Sequence, residues 1–225
     1  MKNRYGIDIW SDDNFFIEDG VVKVNYKPYP SLIKIVKDVR KQGFKGPLLL
    51  RFPHITKKQV KTLFNTFNAS IKEYDYKGKF NAVFPLKVNQ LPNFIHPLVS
   101  YGKKYNYGLE AGSKAELIIA MTYNNMGSPI TINGFKDKEM IHLCFIAKSM
   151  GHDITVIIEG LNELEMILEV LKETKMEAPN VGLRVRLHSG GSGVWAKSGG
   201  IDSKFGLTST EILEAFELMQ ENELE

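Results

Sequence analysis

Short apolar runs alternate with longer amphipathic stretches along most of the chain, and the alternation is regular. From residue 47 the apolar runs are PLLLRF (47–52), NAVFPL (81–86), YNYGLE (105–110), PITING (129–134), DITVII (153–158) and NVGLRVRL (180–187). Runs of this length predict buried strands, and the stretches between them are long enough for crossover helices. Val60, Leu63, Phe64, Phe67 and Ile71 follow Thr56 at spacings of three and four, so they share one helix face. Ser113 with Glu116, Asn162 with Glu165 and Thr208 with Glu211 each set an oxygen acceptor three residues before a carboxylate. That is the spacing of a capping box or its Asn variant, and helices are expected to start there. Gly43 and Gly151 follow helical patterns and can take the left-handed conformation that ends a helix. Ahead of the repeat, the segment up to residue 30 reads as one or two short strands with a turn at Glu18-Asp19-Gly20 and a proline-containing link.

Six strand and helix units in succession predict an α/β fold with a parallel sheet. Two architectures fit: an open doubly wound sheet, or part of an eight-unit TIM-type barrel. Neither G-x-G-x-x-G nor G-x-x-x-x-G-K-[ST] follows the first strand, which favours the barrel. Barrel chemistry gathers at the carboxyl ends of the strands. Those ends carry Arg51, Lys87 with Asn89, Glu110, Glu159, and finally Arg184, Arg186 and His188. Several charged groups would therefore converge on one mouth.

Each of these residues has an ordinary reading beside a chemical one. Lys87 is either a surface lysine just past a strand, or an amine among apolar neighbours where desolvation favours the neutral, nucleophilic form. Glu110 is either a loop carboxylate or the partner of an active-site cation. Arg184 follows Val-Gly-Leu in the most apolar part of its run and requires an acceptor, expected in the barrel mouth. The stretch 188–207 holds six glycines with Lys197 and Lys204. It is longer than the connections of roughly two to six residues usual in this fold, and reads as a lid or an anion-binding loop.

Composition narrows the partners more than the fold. The 225 residues carry 29 basic and 26 acidic side chains, a net charge of +3 that is too small and dispersed for a nucleic-acid footprint or a membrane-binding face. No apolar run is long enough to cross a bilayer, and the start MKNRYGIDIWSDD lacks the features of a secretory signal. Cys144 is the single cysteine and cannot form an internal disulfide. Its place in MIHLCFIAKSM predicts a buried structural thiol, and a reducing cytoplasm is the natural setting.

Four stretches together resemble a known family: FPLKVNQ around Lys87, LEAGSKAEL (109–117), GLRVRL (182–187) and SGVWAKSGGIDSKFGL (192–207). They are similar to the biosynthetic arginine decarboxylases, a branch of the fold-type III pyridoxal-phosphate decarboxylases that also includes ornithine and diaminopimelate decarboxylases. The likeness runs from about Tyr5 to the last residue. It implies an alanine-racemase-like (β/α)8 barrel of which about six of eight units are present. Residues 1–30 would be strands of a β domain, and residues 31–225 the incomplete cofactor-binding barrel. Carried over by position, Lys87 would hold pyridoxal 5'-phosphate covalently, Glu110 would lie beside the cofactor, and Arg184 near its ring. The implied reaction is decarboxylation of L-arginine to agmatine and CO2 in polyamine biosynthesis. Magnesium and a homo-oligomer built on dimers follow from the same resemblance, which gives no metal-ligand positions. The family's remaining cofactor contacts would come from strands seven and eight and a C-terminal β domain, beyond this chain. The other readings are ornithine or diaminopimelate decarboxylase, a racemase of the same barrel class, and a non-catalytic remnant that binds at most a partner chain.

Overall fold

A computed structural model describes residues 5–187 and 206–224, and the chain divides into two compact units, Met1–Lys61 and Thr62–Glu225. In the first, a helical turn α1 (Ile7–Trp10) precedes the strands β1 (Phe15–Glu18) and β2 (Val21–Val24). These strands pair antiparallel from Phe15↔Val24 to Glu18↔Val21. Asp19 and Gly20 make the turn with φ of 50° and 73°. Two consecutive positive φ angles are what a two-residue hairpin needs for its twist, and Asp-Gly supplies them at low steric cost. Helix α2 (Leu32–Lys41) follows, with the Ser31 hydroxyl accepting the Lys34 N–H, and Gly43 lies just beyond its end at φ 92°.

The run 47–52 is not a strand. No ladder bond reaches it, and Leu49 is 76% exposed. Strand formation depends on a paired backbone more than on the apolar residues that signalled it. Helix α3 (Pro53–Glu73) begins directly after the run, so Thr56 lies inside its first turn rather than capping it. Proline suits that first position because its missing N–H would be unpaired there anyway. The expected apolar face is present but unevenly used: Val60 and Phe64 are buried, whereas Phe67 is 46% exposed. Phe64 stacks on Tyr105 at 4.6 Å between ring centroids and meets Phe80 and Tyr107 edge-on.

The second unit holds a parallel sheet of β3 (Val83–Pro85), β4 (Gly108–Ala111), β5 (Pro129–Ile132), β6 (Asp153–Ile158) and β7 (Asn180–Leu183). Between them run α4 (Pro92–Gly102), α5 (Lys114–Tyr123), α6 (Lys138–Ser149) and α7 (Leu161–Thr174), and α8 (Ser209–Glu221) closes the described chain. Spatial order equals sequence order, β3-β4-β5-β6-β7. A doubly wound sheet reverses its order at a switch point, so this array is singly wound, as in a barrel.

The ladder sorts the side chains into two faces. Leu109, Ile130 and Ile154 share one row; Ala111, Ile132, Val156 and Val181 share another, and all are buried. The helices cover that face with Leu117, Ile141, Phe145, Leu164 and Ile167, each fully buried. The intervening row, Pro85, Glu110, Thr131, Thr155 and Asn180, is only half-buried and looks onto the other face. Cys144 is buried in α6, and burial pushes its thiol up to about 12, as a structural role requires.

Helix starts follow local chemistry, with one departure. Ser113 accepts the Glu116 N–H, Asp137 accepts the Met140 N–H, and Thr208 with Glu211 forms a reciprocal capping box. The Asn162–Glu165 pair caps nothing: the cap of α7 lies two residues earlier, at Gly160. The residue holding that turn is Glu163, whose carboxylate accepts the Glu159 N–H at 2.8 Å.

Candidate active site

At the carboxyl end of the sheet, polar contacts tie each strand's exit turn to the next. Gln90, beyond β3, donates to Glu116 at 2.7 Å, and Glu116 accepts the Gly112 N–H beyond β4 at 2.7 Å. Lys114 donates to Asp137 at 2.8 Å and to Glu139 at 2.7 Å, joining the first turns of α5 and α6. The Lys114 ammonium, helped by the Met140 N–H, holds the Asp137 carboxyl below the usual carboxylate range. Lys136, between β5 and α6, has a side chain 0% exposed and pairs with Glu163 at 3.0 Å while also donating to the Gly134 carbonyl. Arg184, beyond β7, pairs with Glu159, beyond β6, at 2.5 Å.

Lys87 sits in the 3-10 turn Leu86–Val88 that ends β3. It is exposed, and the apolar surround that would desolvate it is not present among the described residues. Leu86, not Lys87, is the residue of this turn that enters the core. Lys87 makes no hydrogen bond or ion pair among the described residues, so its amine is available. A shallow groove of about 660 Å³ beside it is lined by Asn89, Gln90, Ile119 and Tyr123. A larger concavity of about 1000 Å³ lies in the first unit, lined by Asp8, Asp12, Asp13 and Asp19 with Phe15 and Phe16. It contains no amine and none of the strand-end residues, so volume is a poor guide to the chemistry here.

Glu110 lies in β4, in register with Pro85 on one side and Thr131 on the other, on the half-buried face. Its carboxylate has no hydrogen-bond or ion-pair partner among the described residues. A half-buried carboxylate in that state can take a cationic or proton-bearing partner. The acceptor expected for Arg184 is Glu159, itself a strand-end residue. Lys87 and Arg184 do not meet directly: they end the two edge strands, four interstrand steps apart, roughly 19 Å along the sheet at about 4.8 Å per step. Arg51 is exposed in the first unit. Arg186 donates through Nε to the Gly206 carbonyl at 3.1 Å. His188, Lys197 and Lys204 lie outside the described residues.

Sequence reasoning missed Lys136, Glu163 and Gln90. A usable signal was present: a glutamate four residues after the strand-exit position in both Gly112-x-x-x-Glu116 and Glu159-x-x-x-Glu163. Among the described residues there is no group of three or more His, Cys, Asp or Glu side chains that could hold a metal ion, and no helix is long and apolar enough to cross a membrane.

A singly wound sheet that presents a free lysine and an unpaired carboxylate on neighbouring strand ends offers groups that can meet a carbonyl compound, since a neutral amine can attack a carbonyl. The chain belongs to the pyridoxal-dependent decarboxylases, whose pyridoxal binding domain matches residues 58–225. Biosynthetic arginine decarboxylases from Geobacter sp. (strain M21) and Bacteroides thetaiotaomicron are 40% and 38% identical over 98% and 97% of this chain. The chain spans about a third of those relatives, 35% of each. The crystal structure of the biosynthetic arginine decarboxylase from Campylobacter jejuni matches with a TM-score of 0.89 and 57% identity, over 98% of this chain and 35% of that one. A diaminopimelate decarboxylase from M. jannaschii, at 23% identity and a TM-score of 0.67 over 93% of this chain and 45% of its own, shares the fold.

Proposed function

We propose that this chain is the lysine-bearing portion of a pyridoxal-phosphate-dependent carboxy-lyase that converts L-arginine to agmatine and CO2. The observation that supports it most is Lys87, an exposed and unpaired amine at the end of β3, in a chain 57% identical to the Campylobacter jejuni arginine decarboxylase. Lys87 holds the cofactor covalently, which a guanidinium could not do because it stays protonated. Glu110 lies beside the cofactor and Arg184, oriented by Glu159, near its ring. When bound, the cofactor supplies an electron sink for the pair left as the α-carboxylate departs, and a proton then replaces CO2 at Cα. Residues 1–30 belong to a β domain and 31–225 to the incomplete barrel. Magnesium, cytoplasmic location, a role in polyamine synthesis and assembly on dimers are parts of the same reading that rest on family resemblance.

The experiment is a product assay on the intact polypeptide containing these residues, with arginine, ornithine and diaminopimelate offered in turn. Agmatine from arginine is expected, with loss of both product and covalently bound cofactor in Lys87→Ala. Cofactor retained covalently in that variant would remove Lys87 from the role. A different amine in place of agmatine would overturn the arginine assignment in favour of an ornithine or diaminopimelate decarboxylase. No product from any substrate, with no cofactor bound, would favour a non-catalytic remnant.

A further inference from the structure

Two glutamates of the second unit are buried in the first turn of a helix, where a carboxylate would ordinarily face solvent: Glu116 is 8% exposed and Glu163 is 6% exposed. Both are satisfied in the same way. Glu116 Oε2 accepts the N–H of Gly112, four residues earlier, and its Oε1 accepts from Gln90 in the exit turn of the preceding strand. Glu163 Oε2 accepts the N–H of Glu159, again four residues earlier, and pairs with Lys136 from the preceding strand's exit.

Helix capping does not account for this geometry. In a capping box the carboxylate returns to the N–H of the cap residue, as Glu211 does at Thr208. Ser113 does cap α5 by accepting the Glu116 N–H, yet the Glu116 carboxylate reaches past Ser113 to Gly112. The bond serves the turn rather than the helix. That turn has little slack, since a Cβ at Gly112 would stand 3.0 Å from the Asn133 carbonyl oxygen.

We infer that Glu116 is a positioning residue for Lys87 and Glu110, stapling the turn after β3 to the turn after β4. Gln90 is three residues beyond Lys87, and Gly112 is two beyond Glu110. The inference rests on the reading of Lys87 as the cofactor lysine. Its repetition is the independent support: Glu163 fixes the backbone of Glu159, whose carboxylate holds Arg184. One device thus sits behind all three proposed site residues.

The pairing of Glu116 with Gln90 allows a charge-preserving exchange. In Glu116→Gln one oxygen becomes an amide nitrogen facing a donor, and in Gln90→Glu two carboxylates face each other. The double variant Gln90→Glu with Glu116→Gln restores a donor opposite an acceptor and leaves an oxygen for the Gly112 N–H. The intact polypeptide is mixed with sub-saturating pyridoxal 5'-phosphate, reduced with borohydride and mapped for labelled Lys87; amide exchange is followed in parallel. Each single variant is expected to lower Lys87 labelling about tenfold, in line with the loss of one charge-assisted hydrogen bond, and the exchange to restore it. Faster amide exchange should be confined to residues 86–91 and 110–113.

Wild-type labelling in either single variant, or no recovery in the double variant, overturns the inference. So does faster exchange spread evenly through β6 and β7, which marks a merely structural glutamate. If Lys87 takes no label even in the wild-type protein, the cofactor reading falls. The amide exchange of the same four proteins then still decides whether Glu116 holds the turns.

Discussion

Replacing Lys136 by Met removes the cation from the most deeply buried ion pair described. Its side chain is 0% exposed and its amine lies 3.0 Å from the carboxylate of Glu163, whose side chain is 8% exposed. Met keeps most of the apolar stem, so the change is chiefly electrostatic: one charge goes and its partner stays buried. Stranding a buried charge in this way costs about 3–5 kcal/mol. The double variant Lys136→Met with Glu163→Leu strands no charge, but it leaves the Glu159 N–H without its acceptor, at about 1–3 kcal/mol. The double variant is therefore expected to be more stable than Lys136→Met, although it carries one change more. Urea unfolding of the second unit followed by far-ultraviolet circular dichroism measures both, with the denaturant slope checked so that midpoints can be compared. A Lys136→Met variant within about 1 kcal/mol of wild type, at unchanged slope, would refute the reasoning. It would mean that Glu163 is solvated in solution despite its burial.

Three further outcomes follow from single positions. A Cβ at Gly108 would come within 1.9 Å of the Pro129 carbonyl oxygen in the neighbouring strand, so Gly108→Ala should destabilise by at least about 1–3 kcal/mol in the same unfolding assay, whereas Gly127→Ala meets no atom and strains only its φ of 82°. His152 is 6% exposed and burial holds its pKa below the ordinary value; the stability it contributes as a neutral ring is fully present above about pH 6.5 and is lost as pH falls through the lowered pKa, so His152→Gln should flatten the acid side of the stability profile. Cys144, with its thiol pushed up to about 12 by burial, should react with a thiol reagent at pH 8 only as fast as the unit opens, and labelling of the native protein at the rate of a free thiol would contradict its packing.

Much of the second unit was legible because its signals are local. The apolar runs at 129–134 and 153–158 became β5 and β6, and Ser113 and Thr208 capped the helices they preceded. The Asp-Gly hairpin turn was readable for the same reason, since its φ angles belong to two residues. The run 47–52 failed because pairing is decided by a neighbour, and the sequence of a strand does not name its neighbour. Asn162 failed as a cap because Glu163, not Glu165, was drawn inward by a lysine 27 positions away in sequence, at Lys136. Charged residues at strand ends could be counted from the sequence, and Arg184 did find its acceptor at one of them. Which end residues share a contact was not legible: Lys87 and Arg184 lie on opposite edges, and the links between turns join loop residues such as Gln90 and Lys136 to glutamates in the first turn of a helix.

The order β3-β4-β5-β6-β7 has a consequence in time. Each strand pairs with the one made just before it, so the sheet can be extended strand by strand as the chain leaves the ribosome, with no early strand waiting for a distant partner. Lys87 follows the first of these five strands and Arg184 the last. The Lys87 amine is thus made before the opposite edge of the sheet exists, and in that interval it stands on a sheet whose later strands have still to be added.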